Sequence, residues 1–269
     1  MRNLFAAAVI ILAIPHAASA NEPAGPGNVQ FPGSLNIAVA TGEPSEPGNV
    51  TSGGTLSQGV SLVRKGPFFL VGFLDVTVRA DTEGYEWNNT LPYRAGMKIV
   101  HIDSHGVFEA AAGVMADQRE RSLAGVHRTA HVSYWRGWRG DALADSHAPG
   151  LVAFPGNSYA VTGYLTSREA NNWITNATIE QGATVYSRKR VAVTPFLRIA
   201  ASIDSENRPW NNRSRLDSGL KLTGRVLNGV LDGGVARRLT FNRSVQDATP
   251  TTVLFVNFWL GWTPRAIFN

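Results

Sequence analysis

The chain repeats itself. Phe31-Pro32-Gly33 returns as Phe154-Pro155-Gly156, an offset of 123 residues (154 minus 31). The same offset carries Glu46 to Glu169, Asn49 to Asn172, Gln58-Gly59 to Gln181-Gly182 and Phe73-Leu74 to Phe196-Leu197. Asp81-Thr82-Glu83 with Trp87-Asn88-Asn89 returns as Asp204-Ser205-Glu206 with Trp210-Asn211-Asn212. Gly96 and Lys98 return as Gly219 and Lys221, and Gly106-Val107 as Gly229-Val230. With one extra residue, Tyr134-Trp135-Arg136-Gly137-Trp138 matches Phe258-Trp259-Leu260-Gly261-Trp262. Any fold must therefore house two copies of one unit, residues 31–138 and 154–262, joined by a linker at 139–153.

Inside each unit the pattern has period two, the mark of strands with two different faces. In Val191 to Ile203 the odd positions are Val191, Val193, Pro195, Leu197, Ile199, Ala201 and Ile203, and the even ones include Thr194, Arg198 and Ser202. Similar runs lie at 34–41, 55–64, 68–80, 93–103, 107–117, 123–138, 158–167, 173–187, 215–226, 230–241 and 252–262, which predicts twelve strands, six per repeat. Arg237 breaks the apolar face of its run. Tight turns are predicted at Arg64-Lys65-Gly66, Asp103-Ser104-His105, Arg188-Lys189-Arg190 and Leu227-Asn228-Gly229, and longer polar loops at 42–54, 81–92, 167–172, 204–214 and 242–251. The link at 118–122 is short for a loop.

The N-terminus predicts export. Arg2 precedes an apolar run from Leu4 to Pro15, and Ala18-Ser19-Ala20 supplies the small residues a signal peptidase reads. Residues 1–20 are thus expected to be a signal peptide and 21–30 an N-terminal extension; the run is too short for the ~20 apolar residues of a spanning helix. The chain has no cysteine, which excludes disulfides, thiolate metal sites and cysteine nucleophiles. Its net charge of +5 is scattered and not gathered into a run, which argues against a nucleic-acid arm.

A soluble sandwich or a lipocalin-like barrel would also alternate, so alternation alone does not choose. Three features favour a closed transmembrane barrel. Several runs are long enough to cross a bilayer at a tilt. Aromatic residues cluster at strand ends on the apolar face, with Tyr134, Trp138, Tyr159 and Trp262 toward the tight turns and Tyr93 and Trp173 toward the loops, as interfacial girdles do. The last run, Val253 to Trp262, is dense in apolar and aromatic residues, although a tail at 263–269 follows it. In these respects residues 31–262 resemble bacterial outer-membrane β-barrels of about twelve strands. The strand–Asp-x-Glu–Trp-Asn-Asn–strand pattern resembles, more loosely, barrels associated with exopolysaccharide secretion and phage adsorption. The resemblance implies an all-β, up-and-down barrel placed by the barrel-assembly machinery, in contact with outer-membrane lipid, without cofactor, serving passive transport of polar or saccharide solutes or surface binding.

On that reading the polar faces line the interior with Asp75, Arg79, Arg94, Lys98, Glu109, Asp117, Glu180, Arg198, Arg215, Asp217, Lys221, Arg225, Asp232 and Arg238. These charges either pair into a stiffening plug or form a path for a charged or sugar-like solute. Lys98 and Lys221, placed alike by the duplication, are the residues expected to set ion selectivity. In the loops, Asp81, Glu83 and Trp87, with Asp204, Glu206 and Trp210, are candidates for binding a cation or a sugar ring; the reading that the residue types favour is that the tryptophans are interface anchors and the Asn pairs turn the chain. One strand face carries His127, Thr129, His131 and Ser133, and His131-Val132-Ser133 superficially resembles the His-x-Ser of outer-membrane phospholipases and lipid A deacylases. Tyr134 and Trp135 follow where those families continue with Asn, and the face is polar, whereas their substrate is lipid.

Because one closed barrel built from both repeats leaves neither half with satisfied edges, residues 21–150 and 151–269 expressed separately should aggregate, be degraded or pair with a second copy. A well-folded monomeric half on size-exclusion chromatography would refute the single barrel.

Overall fold

The computed structural model describes residues 29–43, 46–84, 89–119, 122–138, 153–165, 172–188, 190–208, 212–242, 250–262 and 265–266. The proposed signal peptide, most of the linker and Trp87 and Trp210 lie outside them. The described residues hold twelve long antiparallel strands: β1 Gly33–Glu43, β2 Glu46–Lys65, β3 Phe68–Asp81, β4 Thr90–Asp103, β5 Gly106–Arg119, β6 Ser122–Trp138, β7 Gly156–Leu165, β8 Asn172–Gly182, β9 Val191–Asp204, β10 Arg213–Val226, β11 Gly229–Asn242 and β12 Thr251–Trp262. Each pairs with its sequence neighbours, and β12 pairs back onto β1 from Phe255↔Ala40 to Trp262↔Gly33. The sheet closes. Shorter strands at Val29–Gln30, Tyr186–Arg188 and Arg265–Ala266 extend it at the end that carries the tight turns.

A single closed sheet excludes the sandwich, and the distribution of faces excludes a lipocalin-like interior. Directly paired residues share a face, so the register assigns every position. Asp75 opposes Arg94, Arg94 opposes Met115, and Met115 opposes His127, which sets one polar face running from β3 to β6. The opposite face carries Leu74, Tyr93, Met97, Ile99, Val114, Val132, Ile179, Leu197, Ile199, Leu220, Leu222, Val235, Leu254 and Val256, all of them exposed. An apolar outer face spanning β3 to β6 and β8 to β12, with charges inside, is the inverse of a soluble barrel. A strand of 14 residues at ~3.3 Å per residue and a tilt of ~40° rises about 35 Å, more than the ~25 Å apolar band of outer-membrane barrels.

Three expectations are corrected. The stretch 42–54, expected to be a loop, is mostly strand: β2 begins at Glu46, and Thr51 to Gly54 pair with both β1 and β3. Its Thr, Ser and Gly residues offer no contrast between faces, so alternation could not show it. The run 173–187 is interrupted at 183–185 after β8 ends at Gly182. Tyr159, expected in the outer girdle, points inward, opposite Trp135, and hydrogen bonds with Ser133.

The repeated Phe-Pro-Gly, Gln-Gly and terminal Trp motifs form one device, used twice. Where β12 meets β1, the Trp262 indole lies over Gly33 and its Nε1 donates to Gln58 Oε1 (3.2 Å). The Gln58 amide donates to the carbonyls of Phe31 (3.3 Å), Pro32 (3.4 Å) and Gly59 (3.0 Å), and Gly59 N donates to the Pro32 carbonyl. Where β6 meets β7, Trp138 lies over Gly156 and donates to Gln181 Oε1 (2.9 Å). The Gln181 amide donates to the carbonyls of Phe154, Pro155 and Gly182, and Gly182 N to that of Pro155. The closure of the barrel is thus the same junction as the join between repeats. Neither glycine can carry a side chain, since a Cβ at Gly33 or Gly156 would lie 2.5 Å from the indole.

Gly33→Val and Gly156→Val are therefore expected to destabilise the barrel by about 1–3 kcal/mol each, the cost of overpacking a filled site. The folded band should convert to the unfolded one at a lower temperature on semi-native gels. Gly72→Val, on the outer face with its nearest neighbour at 3.7 Å, should leave that temperature unchanged; equal losses at all three sites would refute the junction.

Candidate functional site

The interior charges meet as two chains of contacts, one per repeat. In repeat one, Ser57 Oγ donates to Asp75 Oδ1 (2.6 Å), and Arg94 Nε donates to Asp75 Oδ2 (3.0 Å). Arg94 Nη1 lies 3.0 Å from His131 Nδ1, and His131 Nε2 3.0 Å from Glu109 Oε1. Lys98 Nζ sits 2.8 Å from Glu109 Oε2. A guanidinium can only donate, so Nδ1 accepts and the neutral ring's proton is on Nε2, directed at Glu109. In repeat two, Glu180 receives Arg198 Nε (2.8 Å) and Lys221 Nζ (2.5 Å). Arg238 holds Asp217 through Nε (2.8 Å) and Nη2 (2.9 Å), and Thr223 donates to Asp232 (2.6 Å).

Duplication conserved the pairing but not its polarity. Asp75 and Arg198 occupy equivalent positions, as do Arg94 and Asp217, so an Asp–Arg pair on β3 and β4 becomes an Arg–Asp pair on β9 and β10, with Arg198 Nη1 3.8 Å from Asp217. Each network rests on an inward phenylalanine at an equivalent position. The Phe73 ring lies 5.5 Å from both the Arg94 and Lys98 cations, which flank Gly96 on β4, so the ring spans the glycine. Phe196 is placed likewise beneath Arg198 (5.2 Å) and Lys221 (5.9 Å), with Phe255 edge-on to it at 5.7 Å. Cations over rings and carboxylates beside them are held more tightly here than in bulk water.

The expected lumen residues fall on the inner face, among them Arg79, Arg215 and Arg225; the Asp117 side chain lies outside the described residues. Lys98 and Lys221 each lie against a carboxylate, Glu109 and Glu180, so their charges are largely cancelled locally. His131 spends both ring nitrogens on Arg94 and Glu109, which leaves neither for Ser133, whose hydroxyl meets Tyr159.

The loop candidates separate. Asp81 and Asp204 are built into matching knots. Asp81 Oδ1 accepts from Gly84 N (2.6 Å) and Asn89 Nδ2 (3.1 Å), and Asn89 Oδ1 accepts from Asp81 N (3.2 Å). Asp204 Oδ1 accepts from Arg208 N (2.9 Å) and Asn212 Nδ2 (3.4 Å), and Asn212 Oδ1 accepts from Asp204 N (3.1 Å). Asn49 and Asn172, each 2 % exposed, tie these knots to the next strand through Thr82 and Ser205. Glu83 and Glu206 are exposed, and among the described residues no acidic or histidine cluster could hold a metal. The Asp and the second Asn of the motif are rim fasteners. The burial of Asn49 and Asn172 was invisible in a sequence where both precede ordinary strand residues.

No protein-family model matches the sequence, and no curated protein is similar to it. Similar solved structures include the β domain of the Bordetella autotransporter BrkA (TM-score 0.45, 11 % identity, 89 % of this chain and 100 % of that one). OmpT, an outer-membrane protein of Vibrio cholerae, aligns with TM-score 0.35 and 7 % identity over 90 % of this chain and 100 % of its own. KdgM porin in complex with disordered oligogalacturonate aligns with TM-score 0.38 and 8 % identity over 84 % and 97 %. A closed antiparallel barrel of twelve strands fits the class that the sequence resembles.

Asp75→Arg and Arg94→Asp are each expected to cost roughly 3 kcal/mol, since each leaves a charge facing its like in a poorly solvated wall. The double exchange recreates the polarity of repeat two and should regain at least half of the summed loss, read as a coupling energy from the temperatures of gel-mobility conversion. Additive losses would show that the two side chains do not form a unit.

Proposed function

We propose that the protein is a porin-like channel of the bacterial outer membrane that passes polar, saccharide-like solutes along its charged lumen. The observation that carries this reading is the segregation of faces: an apolar belt without, and within a ladder of ion pairs that keeps polar groups lining the interior while cancelling most of their charge. Turns at one end and loops at the other orient such a barrel with the turns, and the paired Val29 and Ala266, toward the periplasm. Cancelled charge suits a neutral or weakly charged solute better than a simple ion. A second reading, a non-conducting receptor or structural barrel, is favoured by the burial of Glu180, Asp217, Thr194 and Phe255 on the inner wall.

Two measurements test the proposal. The mature protein should fractionate with outer membranes and run anomalously on gels unless boiled, because a closed barrel satisfies its backbone internally; recovery as a soluble periplasmic monomer would end the membrane reading. In planar bilayers it should conduct with weak ion selectivity. Lys98→Gln plus Lys221→Gln removes one cation from beside each of Glu109 and Glu180, which keep His131 and Arg198, so the reversal potential under a salt gradient should move toward cations. A silent bilayer would favour the receptor reading, and an unmoved potential would take these lysines off the solute path.

A further inference from the structure

Trp135 and Trp259, placed alike in the two repeats, take no part in the junctions or the ion-pair ladders. Trp135 on β6 opposes Val107 and Tyr159; Trp259 on β12 opposes Val230 and Asn36. The register that turns Glu109 and Ser133 inward also turns Trp135 inward, and the one that turns Asp232 and Asn257 inward does the same for Trp259. The two positions are equivalent and lie six strands apart in a closed ring of twelve, hence on opposite walls, near the turn end of the lumen. The inward phenylalanines are buried beneath cations, but Trp135 and Trp259 are 47 % and 52 % exposed.

Their posture is fixed by glycine. A Cβ at Gly137 would lie 3.0 Å from the far edge of the Trp135 indole, and one at Gly261 2.9 Å from that of Trp259. Each ring therefore lies along the wall over the backbone of the residue two positions on, with its outer face open to the lumen. The residues paired with these glycines and rings are Asn157 and Tyr159 on one wall and Ser34 and Asn36 on the other. All four are uncharged hydrogen-bonding groups, and the carboxylate-bearing ladder starts one step deeper, at Glu109 and Asp232.

We propose that Trp135 and Trp259 are stacking platforms for the pyranose rings of a neutral saccharide at the turn-end mouth. A pyranose presents an apolar, slightly positive C–H face that suits the negative face of an indole, and its rim of hydroxyls needs the amide and hydroxyl partners found beside each ring. A cation would call for a carboxylate beside the indole, and a nucleotide for paired cations on its phosphate. The inference rests on the saccharide reading above and adds where the solute is first held: on the periplasmic side, where a saccharide leaving the cell would enter.

Refolded mature protein in detergent is titrated with linear neutral glucan oligosaccharides while tryptophan emission is followed, with polyethylene glycol of matching size as control. A saturable change with the glucans alone is expected. Trp135→Leu and Trp259→Leu should each weaken binding about tenfold, the scale of one aromatic stacking partner, and the double variant should lose the response. Gly137→Val keeps the indole but lifts it from the wall, and should weaken binding to a similar degree; heat-dependent gel mobility confirms that each variant is folded. No response in the wild type, a response surviving in the double variant, or wild-type affinity in Gly137→Val would overturn the proposal. Bilayer recordings on the same preparations separate the two readings: a conducting barrel blind to glucans sinks the platforms alone, and a silent barrel that binds them sinks the channel alone.

Discussion

Everything in this molecule depends on where the edges of its sheet go. In a bilayer an unpaired backbone N–H or C=O costs several kcal/mol, so a sheet facing lipid has to close. Here closure is obtained by repetition: the last strand of each six-strand unit ends in a tryptophan shaped to lie on the first glycine of the next unit, and a glutamine from the following strand fastens both to the incoming Phe-Pro segment. One junction, used twice, both joins the halves and seals the ring. The Asn–Asp knots at the loop rim repeat with the same fidelity, so each end of the barrel is pinned by a duplicated device.

Between those pinned ends the interior has diverged. Glycines at 96 and 219, the phenylalanines across from them and the lysines beside them persist, but acid and base have traded places between Asp75–Arg94 and Arg198–Asp217. The wall needs a pair at that height more than it needs a given sign. His131 of repeat one stands where repeat two has Phe255, so one ladder is relayed through a ring nitrogen and the other is packed against a ring face. The two halves thus share a scaffold and turn two different walls toward the lumen.

Much of this was legible in the sequence because a barrel strand writes its two environments in alternate letters. The strands at 68–80, 191–203 and 252–262 announced themselves that way. The loop-side half of β2 did not, since Thr51, Ser52 and Gly53 suit either face, and Tyr159 was misplaced because a tyrosine is at home both at a lipid interface and in a polar lumen. The repeated Phe-Pro-Gly and Gln-Gly were plain as repeats, yet their purpose was hidden: Trp262 and Gly33 are separated by nearly the whole chain. The pairing of the lysines was likewise out of reach, as Lys221 finds Glu180 across an intervening strand.

Identical junctions also set the growing chain a problem of kinetics. Once β6 exists, its Trp138 matches the glycine at the head of β1 as well as the one at the head of β7, so a premature six-strand ring competes with the correct sheet. The inward side chains forbid it. A ring of about eight strands is just wide enough to be filled by its own side chains, so one of six would have to seat the inward Phe73, Arg94, Lys98 and His131 in a still narrower space. The bulk of the lumen thus acts as a ruler, leaving the first junction open until the second repeat has arrived to fill it.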